Sequence, residues 1–341
     1  MEFGVFYQIP CGEDQTPAGR YADAMAQVQL ADKLGYDMAW LAELHFARRF
    51  SVMPAPLLMA SALSQTTERI MLGTAVNLLP LHHPLRIAEE VATLDVLSGG
   101  RAVFGIGRGS NPNHYRGYGI PIEERNDRFV EGLDLALRAW TEDELDYHGR
   151  FYQAQGIRLE PKPIQQPYPP VYVASNGADT FPLVGSLGHS ILVTPLIITV
   201  PGVSDGLAVY RETLAEHGHD ESKVKVVVNV PVYVGETAES AKAGFAPTVN
   251  NYLGTLRSMQ NNSRGSGRAF QISYDDIYNE LGAVGTPEQV IDRLQGFKEL
   301  YQPQEFMCWF NIGGILTNEE VARSMQLFAD EVIPHFKNRT A

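Results

Sequence analysis

Two cysteines in 341 residues, Cys11 and Cys308, are too few and too far apart for a disulfide framework or a metal-ligand spacing. A reduced, cytoplasmic chain is the simplest reading of that scarcity. Basic charge is also short: 27 Lys and Arg face 40 Asp and Glu, a formal net charge of −13. Nucleic acid and anionic membrane both require a basic surface, so neither is an expected partner, although a local pocket for one phosphate stays compatible with this balance. The opening MEFGVFYQIP has neither the basic region nor the long apolar core of a secretory signal. Long apolar runs are missing too. The longest uncharged stretch, residues 180–204, holds Pro182, His189, Pro195 and Pro201, which suits two buried segments better than a membrane span. No H-x-H stands at an expected strand end, so no metal site is expected and a metal-dependent barrel hydrolase is disfavoured.

What is present is an ordinary globular composition, 44% hydrophobic and 20% charged, enough for a large core. This length could hold two average domains, yet α/β barrels often use it as one. No linker or internal repeat divides the chain, so residues 1–341 are read as a single domain.

Residues 72–111, LGTAVNLLPLHHPLRIAEEVATLDVLSGGRAVFGIGRGSN, organise the rest. The apolar run 70–79 suits a buried parallel strand. Pro84 can open the next helix, where Ile87, Val91, Leu94 and Leu97 keep a helical period until Gly99-Gly100 stops it. Residues 102–106 form a second apolar strand running into Gly107-Arg108-Gly109. Glycine lets backbone N–H groups approach a ligand and arginine supplies a forked donor, so Arg108 is a candidate phosphate clamp.

Strands are expected at residues 2–8, 37–42, 70–79, 102–106, 171–174, 190–194, 225–234 and 305–310, with helices between them. The alternation predicts an α/β fold, a (β/α)8 TIM barrel. Insertions are expected after the fourth and seventh β/α units, at about 144–170 and 256–284. The first reads as a hairpin and proline-rich loop; the second is polar, carries NNSRGSGR at its centre, and is the expected mobile cover. A doubly wound open sheet is the alternative, against which no G-x-G-x-x-G follows the first strand.

In such a barrel, the strand ends would deliver Gln8, Glu43 with His45, Asn77, Arg108, Ser175 with Asn176, Thr194 and Trp309. One firm anion site with few ionisable groups suits a bound organic cofactor better than hydrolysis by paired carboxylates. Arg125 could be a second phosphate arm, with Arg128 as its competitor three residues on. Residues 171–178 run from a strand into a helix start, which favours either anion binding or simple N-capping by Ser175 or Asn176. Glu43 and His45 could form a base with its orienter, a metal pair or a structural hydrogen bond. An apolar rim of Phe6, Phe46, Leu79, Trp309 and Phe310 is expected to keep the mouth dry.

T-A-V-x-L-L-P-x-H-H-P-x-R-x-A-E-E, L-D-x-L-S-x-G-R and F-G-x-G-R-G together resemble the bacterial luciferase-like family of flavin-dependent monooxygenases. The similarity runs from Phe3-Gly4-Val5-Phe6 to Glu331-Val332-Ile333-Pro334. It implies FMN, delivered in reduced form by a separate flavin reductase, with dioxygen and a small hydrophobic organic substrate. It also implies that Arg108 and Arg125 hold the FMN phosphate, with Ser175, Asn176, Gly177 and Thr180 at the adjoining turn, and that Ala75 and Asn77 lie beside the isoalloxazine, with a strained peptide at the alanine. A homodimer is implied through the helices beginning near Pro54 and Pro84. The family's E-H-H-F motif is altered here: its first histidine, tied to catalysis in the luciferase, is Leu44, so light emission from a fatty aldehyde is not expected. Glu43 and His45 remain the catalytic candidates, although the family directs the second histidine to a subunit interface, where a glutamate matching Glu89 can meet it. A deazaflavin-dependent oxidoreductase of the same fold, and a non-catalytic flavin-binding subunit, are the alternatives.

Overall fold

The computed structural model describes residues 1–263 and 271–337. Apolar segments alternating with helices favour parallel pairing with both faces of the sheet covered. Eight of them close into a barrel: β1 (Glu2–Tyr7), β2 (Met38–Leu41), β3 (Met71–Thr74), β4 (Ala102–Gly107), β5 (Val171–Ser175), β6 (Ser190–Val193), β7 (Val226–Val234) and β8 (Glu305–Trp309). Neighbouring strands pair in parallel, and β8 returns to β1 with Met307 in register with Gly4. The expected TIM barrel is the fold, and the open doubly wound sheet is not.

Local chemistry sets the ends of the helices. Thr16, Thr199, Thr286 and Thr317 each accept a backbone N–H at a helix start, and Gly35 and Gly99 end helices in the left-handed region at φ 84° and 68°. The barrel interior is organised by Trp40, which is fully buried with Met38, Val103, Tyr172, Leu192, Val227 and Met307. Its indole needs room that the neighbouring strands provide by lacking side chains. A Cβ on Gly73 would stand 2.7 Å from the ring, and one on Gly4 2.9 Å. Trp40 Nε1 donates to Glu305 Oε1 over 2.6 Å, closing the base of the barrel.

The first insertion is a two-stranded antiparallel hairpin, Leu145–His148 with Gln153–Ile157, anchored where Glu131 accepts the backbone N–H groups of Arg150, Phe151 and Tyr152. The second differs from expectation. Its helix, Ala238–Ser263, runs past 256, the expected start of the insertion, because nothing from Leu253 to Met259 breaks a helix except the tolerated Gly254. Of the expected mobile cover, 256–284, residues 264–270 with most of NNSRGSGR lie outside the described residues. Beyond it, Ala283–Gly285 adds a short parallel strand to the end of β7. Among the described residues, no helix is long and apolar enough to cross a membrane.

The expected third strand, 70–79, is in fact two pieces. β3 stops at Thr74, the Ala75–Val76 peptide is cis, and Asn77–Leu78 moves across to pair with Ile106 and Gly107 of β4.

A candidate cofactor site at the barrel mouth

Small residues open the mouth. Ala75, Val76 and Ala174 are part-buried above the tryptophan layer, and a Cβ on Gly107 would lie 2.5 Å from Val76 Cγ2. Aromatic rings accompany them: Phe6 meets Trp309 edge-on at 5.0 Å, and Tyr252 meets Trp309 edge-on at 5.4 Å. Of the five expected rim residues, Phe6 and Trp309 hold their place. Phe310, one position on, faces the helical layer and packs on Tyr36 and Phe328. Leu79 is buried against Gly132 in the outer core. Phe46 is 67% exposed beside Tyr118, outside the mouth.

Beside this slot is a polar corner built on Arg108. Its Nη1 donates to Asp179 Oδ2 at 2.7 Å and Asn126 Oδ1 at 2.8 Å; its Nη2 donates to Thr180 Oγ1 at 2.6 Å and Asp179 Oδ1 at 3.3 Å. Tyr115 holds the arginine's backbone, donating its hydroxyl to the Arg108 carbonyl, and burial pushes that phenol up to about 12. Thr180 opens the helix Thr180–Leu187. Gly177 forms the turn before that helix, its carbonyl accepting from Thr180 N–H, while Asn176 is exposed there. Ser175 ends β5 with its hydroxyl buried and without a partner among the described residues. Arg125 is half-buried, adjoins Asn126 and makes no ion pair among the described residues. Arg128 is committed instead to Glu124 at 2.7 Å and to the face of Phe151. The corner thus offers one bound and one uncommitted guanidinium, two hydroxyls and a helix start, a donor set for an anion.

Glu43 and His45 meet, but away from this corner. Glu43 is buried and accepts from four donors: His45 Nε2 at 2.8 Å and His82 Nε2 at 2.7 Å on Oε1, Asn77 Nδ2 at 2.6 Å and Leu78 N–H at 2.9 Å on Oε2. Burial pushes the carboxyl up, but the bonds from both histidines and the charge of His82 win, holding it below the usual carboxylate range. Burial likewise pushes His82 down, and Glu43 more than reverses it, leaving His82 above its ordinary value. The other His45 nitrogen, Nδ1, receives the Tyr118 hydroxyl at 3.2 Å. His114 accepts from the His45 backbone N–H, and burial with the nearby His45 lowers it to about 4. One expectation changes here. Asn77 spends its amide nitrogen on Glu43 and pairs with Ile106 of the outer core, so it does not present that nitrogen to the mouth. Glu89 reaches towards Arg86 on its own helix, while within this chain Glu43 is the partner of His45.

Sequence reasoning missed Asp179, Asn126, His82 and Tyr118. Asp179 carried a signal, an acidic residue just before a helix start; the others are brought in by long-range packing that no local pattern encodes.

A model described as luciferase-like monooxygenase matches residues 1–302. The oxygenase component of a flavin-dependent trigonelline monooxygenase from Acinetobacter baylyi is 26% identical, the alignment covering 98% of this chain and 96% of that one. The monooxygenase RslO1 from Streptomyces bottropensis superposes with a TM-score of 0.90 at 25% identity, covering 98% of this chain and 100% of that one. The oxygenating constituent of 3,6-diketocamphane monooxygenase from Pseudomonas putida, solved with FMN, has a TM-score of 0.80 at 20% identity and 98% coverage of both. With seven of the eight barrel strands and the whole polar corner contained in the matched span, the chain belongs to the luciferase-like monooxygenase family.

Proposed function

We propose that the protein is the oxygenase of a two-component monooxygenase that takes reduced FMN from a separate reductase and acts with dioxygen on a small hydrophobic substrate. The observation that carries this reading is the polar corner, where Arg108 and Thr180 converge beside a buried, unpartnered Ser175 hydroxyl. These residues fit a phosphate: Arg108 and Arg125 supply charge, Ser175 and Thr180 supply hydroxyls, and Asn176 and Gly177 supply backbone at the turn. Ala75, with its small neighbours, leaves width for a planar ring. Bound reduced flavin would supply the electrons that activate dioxygen. The chain's own work is to anchor, to orient and to exclude water, and the Phe6–Trp309–Tyr252 wall serves the last of these. Glu43, with both carboxylate oxygens accepting two hydrogen bonds each, and His45 act as positioning residues that hold the loop after β3. The two free, buried cysteines fit a cytoplasmic setting and residues 1–341 working as one domain.

The same reading includes a homodimer. Leu58 on Pro56–Ser64 and Val96 and Leu97 on Pro84–Ser98 are large apolar side chains left exposed on the helices that the family resemblance assigns to an interface. Sedimentation of the purified protein tests it, and a monomer at micromolar concentration would refute it.

Anaerobic titration with photoreduced FMN tests the main reading. Saturable binding that is lost in Arg108→Ala, with faster reoxidation of the free flavin on mixing with air, is the expected result. Failure of FMN to bind, with a deazaflavin binding in its place, would replace the oxygenase with a hydride-transfer enzyme of the same fold.

A further inference from the structure

Asp179 stands where an anchoring anion would stand. Its two carboxylate oxygens take both terminal nitrogens of Arg108, at 2.7 and 3.3 Å, and it precedes Thr180, whose hydroxyl receives the same arginine. The two partners differ in freedom. The Arg108 side chain is 16% exposed and held by Asn126 and Thr180, with its backbone carbonyl held by Tyr115, while the side chain of Asp179 is 63% exposed. An ion pair with one partner this exposed contributes little to stability, so the carboxylate is the member that can leave. It also has somewhere to go. Asp179 occupies the N-cap of Thr180–Leu187 with φ −75° and ψ −18°, yet its side chain makes no capping bond. A carboxylate at an N-cap ordinarily accepts helix N–H groups, and here it has turned to the arginine instead.

We infer that Asp179 is a built-in competitor for the flavin phosphate, swinging between Arg108 and the helix start so that flavin is held weakly and exchanged. This inference rests on the phosphate reading of the Arg108 corner. No covalent step is involved. A phosphate monoester carries close to two negative charges, so it must displace the carboxylate and then tolerate it nearby. The penalty falls on phosphorylated flavin and spares riboflavin, which makes Asp179 a determinant of affinity and release. A protein that receives its flavin from another enzyme and must return it after each cycle benefits from such a competitor.

Fluorescence titration of the full chain with oxidised FMN and with riboflavin tests this, using wild type, Asp179→Asn and Arg108→Ala. Asp179→Asn keeps the shape and removes the charge. It is expected to bind FMN about tenfold more tightly, chiefly through slower dissociation in stopped-flow displacement, with riboflavin affinity unchanged. If Asp179→Asn leaves FMN affinity unchanged or weakens it while Arg108→Ala abolishes the preference for FMN over riboflavin, the competitor role is overturned and Asp179 is a residue that positions the arginine. If Arg108→Ala leaves that preference intact, the phosphate reading itself fails, and the inference fails with it.

Discussion

Trp40 Nε1 donates to Glu305 Oε1 over 2.6 Å, while the other carboxyl oxygen of Glu305 is buried without a partner among the described residues. Desolvation pushes this carboxyl up from its ordinary 4.5 to about 8, and the tryptophan bond only partly offsets the shift. The folded state therefore holds a proton that the unfolded chain releases. The contribution of Glu305 to stability is complete below about 4.5 and declines as pH rises towards about 8.

Glu305→Gln keeps the acceptor for Trp40 and removes the titration. At about 1.4 kcal/mol for each pH unit above the unfolded value, the wild type has lost on the order of 3 kcal/mol by neutral pH. Urea denaturation is expected to show the variant more stable than wild type near pH 8 and similar near pH 5. Parallel pH profiles for the two proteins would remove Glu305 as the source.

Glu43→Gln is expected to destabilise the protein by about 3 kcal/mol, because an amide oxygen cannot serve four buried donors and its NH2 opposes two of them. The network is also pH-dependent from both sides. Glu43, held low, contributes above its ordinary value and loses that contribution in acid; His82, held high, contributes below its ordinary value of 6.5 and loses it as the solution turns alkaline. His82→Ala should cost most in weakly acidic solution and progressively less above neutrality, read as Tm differences across a pH series.

The glycines divide sharply. A Cβ on Gly105 would fall 1.7 Å from the Thr74 carbonyl oxygen, a backbone atom that cannot step aside. Gly105→Ala should lose at least about 2 kcal/mol or fail to fold. Gly254, in the helix Ala238–Ser263, has nothing within 4 Å of its added Cβ, and Gly254→Ala should gain about 0.5–1 kcal/mol. Thermal melts of both variants check the contrast.

Ser175→Ala separates binding from folding. Removing a buried, unpartnered hydroxyl should leave Tm unchanged or slightly raised, whereas FMN affinity should fall several-fold. A loss of stability with unchanged affinity would show that the hydroxyl is structural.

The barrel was legible because helix caps and glycine stops sit in the chain itself: Thr16 and Gly35, or Pro84 and Gly99, mark their elements without tertiary help. Arg108 was legible because two glycines flank it after a buried strand. The rim was only partly so. Trp309 and Phe310 are adjacent, equally apolar and equally near a strand end, yet they face opposite sides of the sheet, and which faces the axis depends on the register with β1 and β7. The Glu43 network was hidden for a similar reason. His82 and Tyr118 reach it from 39 and 73 residues beyond the residues they bond, a distance over which sequence spacing carries no geometry.

Among the described residues, the buried tryptophan layer closes the barrel beneath the mouth. Whatever lodges deeper must enter first and leave last, so two ligands sharing that passage cannot come and go independently. Steady-state kinetics should then follow a compulsory order imposed by architecture rather than by affinity.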